Sequence, residues 1–146
     1  MKRIAIHLAA AAGVFTLAAP ALAQVDYKAG PPGMPFSSAV HVDNVLWVSG
    51  EIGTRADGTL PDGMEAQARQ TMDNIARTLK ANGSSFNDVF KCIVMLTDMS
   101  KWADFNKIYV TYFQPDRLPA RSAIGANGLA LGALVEVECL AYKPRK

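Results

Sequence analysis

The chain is poor in histidine and cysteine, with two of each in 146 residues. It has no Cys-x-x-Cys and no His-x-x-x-His, so the usual zinc ligand sets are missing. It also lacks the Gly-x-x-x-x-Gly-Lys phosphate loop and the Gly-x-Ser-x-Gly turn of serine hydrolases, which argues against a nucleotide site and a hydrolase triad. A formal charge of +2 is small, and the amino terminus supplies it through Lys2 and Arg3. Without those two the basic residues fall to thirteen, equal to the thirteen acidic ones, so no bulk charge draws the protein to nucleic acid.

The amino terminus reads as a secretory signal. Lys2 and Arg3 form a basic region, Ile4 to Ala19 an apolar one, and Ala21-Leu22-Ala23 an A-x-A cleavage site. The apolar run is short for a membrane span and ends at Pro20. Cleavage after Ala23 is expected, with a periplasmic product of about 123 residues, a single domain over 24–146 with no membrane anchor left.

From Ser38 onward, strand and helix signals alternate. Ser38 to Val42 and Val45 to Ile52 are β-rich and are separated by Asp43-Asn44, a two-residue turn. Asp62 and Glu65 form a capping arrangement ahead of a helix on which Ala68, Met72, Ile75, Ala76 and Leu79 recur at helical spacing. Asn82-Gly83-Ser84 matches a glycosylation sequon but reads better as that helix's stop. Val89 to Thr97 is a strand, and Ser100 is placed to cap a second helix whose inner face carries Trp102, Phe105, Ile108, Tyr109, Tyr112 and Phe113. Arg121 to Ala126 and Ala133 to Tyr142 complete a ββαβαββ order, an α/β sandwich with a mixed sheet. Leu46-Trp47-Val48 and Cys92 to Leu96 are apolar on both parities, so two helices on one face leave the other to be covered, most economically by further copies of the chain.

Cys92 and Cys139 pose a choice. Two cysteines in an exported chain invite a disulfide, yet both lie in apolar strands, where a free thiol packs as a small hydrophobe. The free form is expected.

Two charged residues stand out against this apolar frame. Arg121 lies in Leu118-Pro119-Ala120-Arg121-Ser122-Ala123, where Pro119 fixes the approach and small neighbours leave the guanidinium open for two-point capture of a carboxylate. Glu136 sits inside the strand Val135 to Ala141, where a carboxylate is seldom fully buried without a partner. Each has an ordinary alternative, a solvated arginine at a strand start and an edge-strand glutamate that discourages aggregation.

Several motifs then occur in a telling order: Gln67 to Ile75, Val94 to Met99, Asn106 with Tyr109 and Phe113, Pro119-Ala120-Arg121-Ser122, and Gly132 to Glu138. In this the chain closely resembles the Rid family of reactive-intermediate enamine/imine deaminases, formerly called YjgF, from about Phe36 to Tyr142. The resemblance implies a chorismate-mutase-like fold assembled as a homotrimer, helices outside, with clefts between subunits and the last strand inserted between earlier ones. It implies hydrolysis of enamine or imine amino-acid derivatives such as 2-aminoacrylate to 2-keto acids and ammonia. Arg121 holds the carboxylate in that scheme and Glu136 handles the water proton. No metal or organic cofactor is needed, because the imine carbon is already electrophilic. Ser49 and Gly50 match the family's cleft wall, although ordinary strand-end geometry explains them as well, and Asn106 matches a polar position near the arginine or else is a satisfied helix-face amide. Phe36 stands where many RidA-type relatives have tyrosine, and Ala123 where they have cysteine, so this cleft is expected to be more apolar. A different class of function on the same trimer is non-catalytic binding of small carboxylates, or a holdase role in stress. RNA cleavage, a third reading, sits badly with neutral charge and export.

Overall fold

The computed structural model describes residues 23–144, so Met1 to Leu22 of the expected leader lie outside the described residues. Eight principal elements follow in the order β1 (Val25–Ala29), β2 (Ser37–Val42), β3 (Val45–Ile52), α1 (Gly63–Ala81), β4 (Val89–Leu96), α2 (Trp102–Tyr109), β5 (Ala120–Gly125) and β6 (Val135–Tyr142). The strands form one mixed sheet in the order β1-β2-β3-β6-β4-β5. Every pairing is antiparallel except β4 with β5, which is parallel.

The sequence reading lacked β1, an edge strand that pairs with β2 from Val25↔Val42 onward. Its Val25-Asp26-Tyr27-Lys28-Ala29 run does alternate apolar and polar residues, but it is short and its apolar parity stays exposed, Tyr27 at 71%. The β2–β3 hairpin turns where expected, with Asp43 in the left-handed region at φ 49°.

The helix ends correct two expectations. Asp62 occupies the cap position of α1 with no side-chain hydrogen bond, and Glu65 instead pairs with Arg69 one turn on. At the second helix Asp98, not Ser100, supplies the cap: its carboxylate accepts from the Ser100 N–H at the start of a 3₁₀ turn, Met99–Lys101, that feeds α2. Asn82 and Gly83 do stop α1. Gly83 takes φ +67°, and the Asn82 side-chain amide donates to the Thr78 carbonyl.

Both helices lie on one face. Ala68, Met72, Ile75 and Leu79 of α1 and Phe105 of α2 are fully buried against Leu46, Cys92, Val94, Leu96, Val135, Val137, Cys139 and Ala141. At about 1.5–3 kcal/mol per large apolar side chain, this layer is the main stabiliser of the fold. Alternation sends the other parity of the same strands outward, and there Trp47, Ile124 and Tyr142 are about half exposed.

Cys92 and Cys139 are bonded, which overturns the expectation of free thiols. The two are register partners on β4 and β6, with Cα atoms 4.2 Å apart, so both side chains leave the sheet on the helix-covered face side by side. Their pairing depends on β6 lying next to β4.

Candidate functional site

Glu136 occupies the helix-free face near the start of β6, opposite Ile52 of β3 and Met95 of β4. Its carboxyl is held above the ordinary range, first by burial and then by the neighbouring charge of Glu138. No cation comes within 4 Å of it among the described residues. Gly50 borders it closely: a Cβ there would lie 2.1 Å from Glu136 Oε1, so a larger residue would make the carboxylate swing away from its present position. Ser49 Oγ donates to the Ser37 carbonyl at 2.6 Å and fastens β3 to the start of β2. Phe36, Ser49, Gly50 and Glu136 line one cavity of about 640 Å³. Four predicted site residues are thus brought together.

Arg121 is not among them. Its register partner is Cys92, whose side chain faces the helices, and the same parity carries Ala123 opposite Val94. Arg121 and Glu136 therefore leave opposite faces of the sheet, with β4 between their strands. The Arg121 guanidinium carbon lies 4.4 Å from the ring centroid of Trp102 and 4.7 Å from that of Tyr109. The two rings anchor the guanidinium by cation–π attraction.

Asn106 accompanies these rings, since Trp102, Asn106 and Tyr109 fall on one stripe of α2. Within the chain its Oδ1 is buried without a hydrogen-bond partner, as is the Tyr109 hydroxyl. Burial pushes the Tyr109 hydroxyl up to about 12 despite the opposing pull of Arg121, which keeps it a neutral donor. Trp102 and Tyr109 read in the sequence as core, and their functional signal was the Asn106 set between them at helical spacing.

One chain therefore carries two separate candidate surfaces, a concave one around Glu136 and a cationic one around Arg121. Among the described residues, no group of three histidine, cysteine or acidic side chains is placed to hold a metal ion, and no helix is long and apolar enough to cross a membrane.

The sequence profile of the family described as Endoribonuclease L-PSP matches residues 27–143, nearly all of the described fold. The mouse protein named 2-iminobutanoate/2-iminopropanoate deaminase is 42% identical over 111 residues, covering 75% of this chain and 82% of that protein. The chain belongs to the Rid family. A RutC family protein of Sulfurisphaera tokodaii is 38% identical over 118 residues, 80% of this chain and 94% of its own length. Among solved structures, RidA from an Antarctic Psychrobacter bacterium superposes with a TM-score of 0.73 at 37% identity, covering 79% of this chain and 94% of that one. Membership in the Rid family accounts for the sheet order, with the last strand inserted between β3 and β4. It supports the family's reactive-intermediate deamination as the general activity.

Proposed function

We propose that this Rid protein hydrolyses small enamine or imine forms of amino acids to 2-keto acids and ammonia, in clefts shared between the subunits of an exported homotrimer. The observation that carries this reading is the division of the site: an oriented guanidinium with no carboxylate partner on one surface, and a cavity built around a raised carboxyl on another. In the proposed assembly the β5 edge of one chain, which carries Arg121, lies against the Glu136 cavity of the next. The leader residues support export, and a Cys92–Cys139 bond suits an oxidising compartment.

Arg121 grips the substrate carboxylate at two points and fixes the imine carbon beside Glu136. Water oxygen bonds that carbon, the C=N π electrons move onto nitrogen, Glu136 accepts the water proton, and nitrogen takes a proton in turn. The carbinolamine then collapses: its amino nitrogen takes the proton held by Glu136, the hydroxyl gives its own proton back to Glu136, the C–N electron pair leaves with nitrogen as ammonia, and the C=O forms. Phe36 and Ala123 keep the walls apolar. Against the family's description as an endoribonuclease stand the small formal charge of +2 and the Glu136 and Glu138 that the helix-free face presents.

Ammonia and keto-acid release from freshly generated 2-aminoacrylate tests the chemistry. Arg121→Ala and Arg121→Lys should both lose about a hundredfold or more, because a lone ammonium keeps charge but not the fork. Full activity in Arg121→Lys defeats the two-point grip. Co-refolding Arg121→Ala with Glu136→Gln tests the shared cleft, since random 1:1 assembly restores about one intact site in four only if the two residues come from different chains. No recovery places the site within one chain.

A further inference from the structure

The cavity around Glu136 extends past the end of β2. The β2–β3 register closes at Ala39↔Val48, so β3 beyond Ser49 has a free edge, and the cavity wraps around it to reach Arg55, Asn74 and Arg77. Its volume of about 640 Å³ lies within the range of pockets that enclose drug-sized ligands, about 300–1,000 Å³, and a three- or four-carbon imino acid leaves much of it unfilled.

We propose that Arg55 and Arg77 form an anion subsite contiguous with the Glu136 cavity, and that the favoured substrates are imino acids bearing a second carboxylate at the end of the side chain. This rests on the deaminase reading and names the substrate class for the same site.

The two arginines rise from ordered backbone. Arg55 begins a tight turn in which its N–H donates to the Thr59 carbonyl, the Gly58 N–H donates back to the Arg55 carbonyl, and Asp57 accepts from both the Thr59 N–H and its hydroxyl. Arg77 projects from α1 and donates to Asn74 Oδ1. Asn74, only 3% exposed, joins the two segments: its Nδ2 donates to the carbonyls of Ile52 and Thr54 at 2.8 and 3.0 Å, while its Oδ1 also accepts from Gln70. Ile52 is the register partner of Glu136, so the brace ends one strand away from the reacting carboxyl. Neither guanidinium has a carboxylate within 4 Å among the described residues. Arg55 makes one weak contact to the Thr59 hydroxyl at 3.4 Å and feels Asp57 at longer range. Glu51, on the same wall, accepts from the Thr78 hydroxyl at 3.0 Å, and burial works against its charged form although Arg77 opposes that effect. Two guanidinium groups on the lining of one cavity, with no carboxylate within 4 Å among the described residues, suit a terminal carboxylate better than an aliphatic side chain.

Calorimetric titration of the product keto acids tests this without turnover. Wild type should bind 2-oxoglutarate about ten- to a hundredfold more tightly than 2-oxobutanoate. Arg55→Gln with Arg77→Gln should erase that advantage while leaving 2-oxobutanoate affinity within about twofold, and Arg55→Gln alone, on an exposed turn, should remove a large part of it without disturbing the helix. Equal affinity of wild type for the two keto acids overturns the subsite, as does a preference that survives both substitutions. Steady-state hydrolysis of 2-iminoglutarate and 2-iminobutanoate separates the two proposals. Turnover of both with no dicarboxylate preference defeats the subsite and keeps the reaction, whereas turnover of neither defeats the reaction and leaves the titration to decide the subsite.

Discussion

On the helix-covered face of the sheet, Leu46 is fully buried and Val48 is 4% exposed, while on the opposite face their strand neighbour Trp47 remains 50% exposed. The same β3 backbone supplies all three side chains, so the difference lies in what covers each face and not in the strand. The covered face is also stapled by Cys92–Cys139 and contains the fully buried Phe105. The open face carries Glu136 and Glu138, charges that no core of one chain satisfies. One face carries the packing that holds the subunit together, while the other leaves apolar and acidic side chains half exposed.

Phe105→Ala breaks the comparison on its stronger side. Truncation of a fully buried aromatic should cost about 3–5 kcal/mol, read as a fall in the denaturant midpoint of the isolated subunit and of the assembly alike. A loss under about 1 kcal/mol would mean that the covered face is not the stabilising one. The staple comes next. Replacing Cys92 and Cys139 together by alanine should cost about 2–4 kcal/mol, because the bond closes a loop with a sequence separation of 47 in the unfolded chain. Unchanged stability with and without reductant in wild type would indicate that the bond does not form in solution.

On the open face the expected effect is of another kind. Trp47→Glu should leave the subunit folded, since the ring is half exposed there, while converting the proposed trimer to monomers in sedimentation at micromolar concentration. A trimer that survives this change would move the interface elsewhere.

Much of this was legible in the sequence because the signals are local. Ala68, Met72, Ile75 and Leu79 announce α1 by their spacing, and Asp43-Asn44 announces the first hairpin by turn chemistry. What stayed hidden depends on register between distant strands. Cys92 and Cys139 pair only because β6 enters between β3 and β4, and no periodicity encodes that insertion. The same insertion decides that Arg121 and Glu136 leave opposite faces, although each residue was identifiable from its own neighbours. Asp98 displaced Ser100 as the cap because a 3₁₀ turn precedes the α-helix, a shift of two residues that composition does not resolve. Gly50 is the instructive case: it borders Glu136 Oε1 closely, a contact between strands that appears only once the register is known.

The smallest effect concerns the charge beside Glu136. Burial raises the Glu136 carboxyl from its ordinary 4.5 and Glu138 raises it further, so the group favours the folded state while protonated and that contribution is lost as pH climbs through the raised value. Catalysis needs the ionised form, so the acid limb of kcat/KM should lie above the ordinary carboxylate range. Glu138→Gln removes the like charge but not the burial. The acid limb should therefore move to lower pH by a fraction of a unit, short of the ordinary value, with the plateau rate nearly unchanged. Because desolvation is the larger cause, a shift all the way back would mean that the open face is wetter around Glu136 than its covered neighbours imply. A shift to higher pH would mean that Glu138 acts on the site as something other than a negative charge.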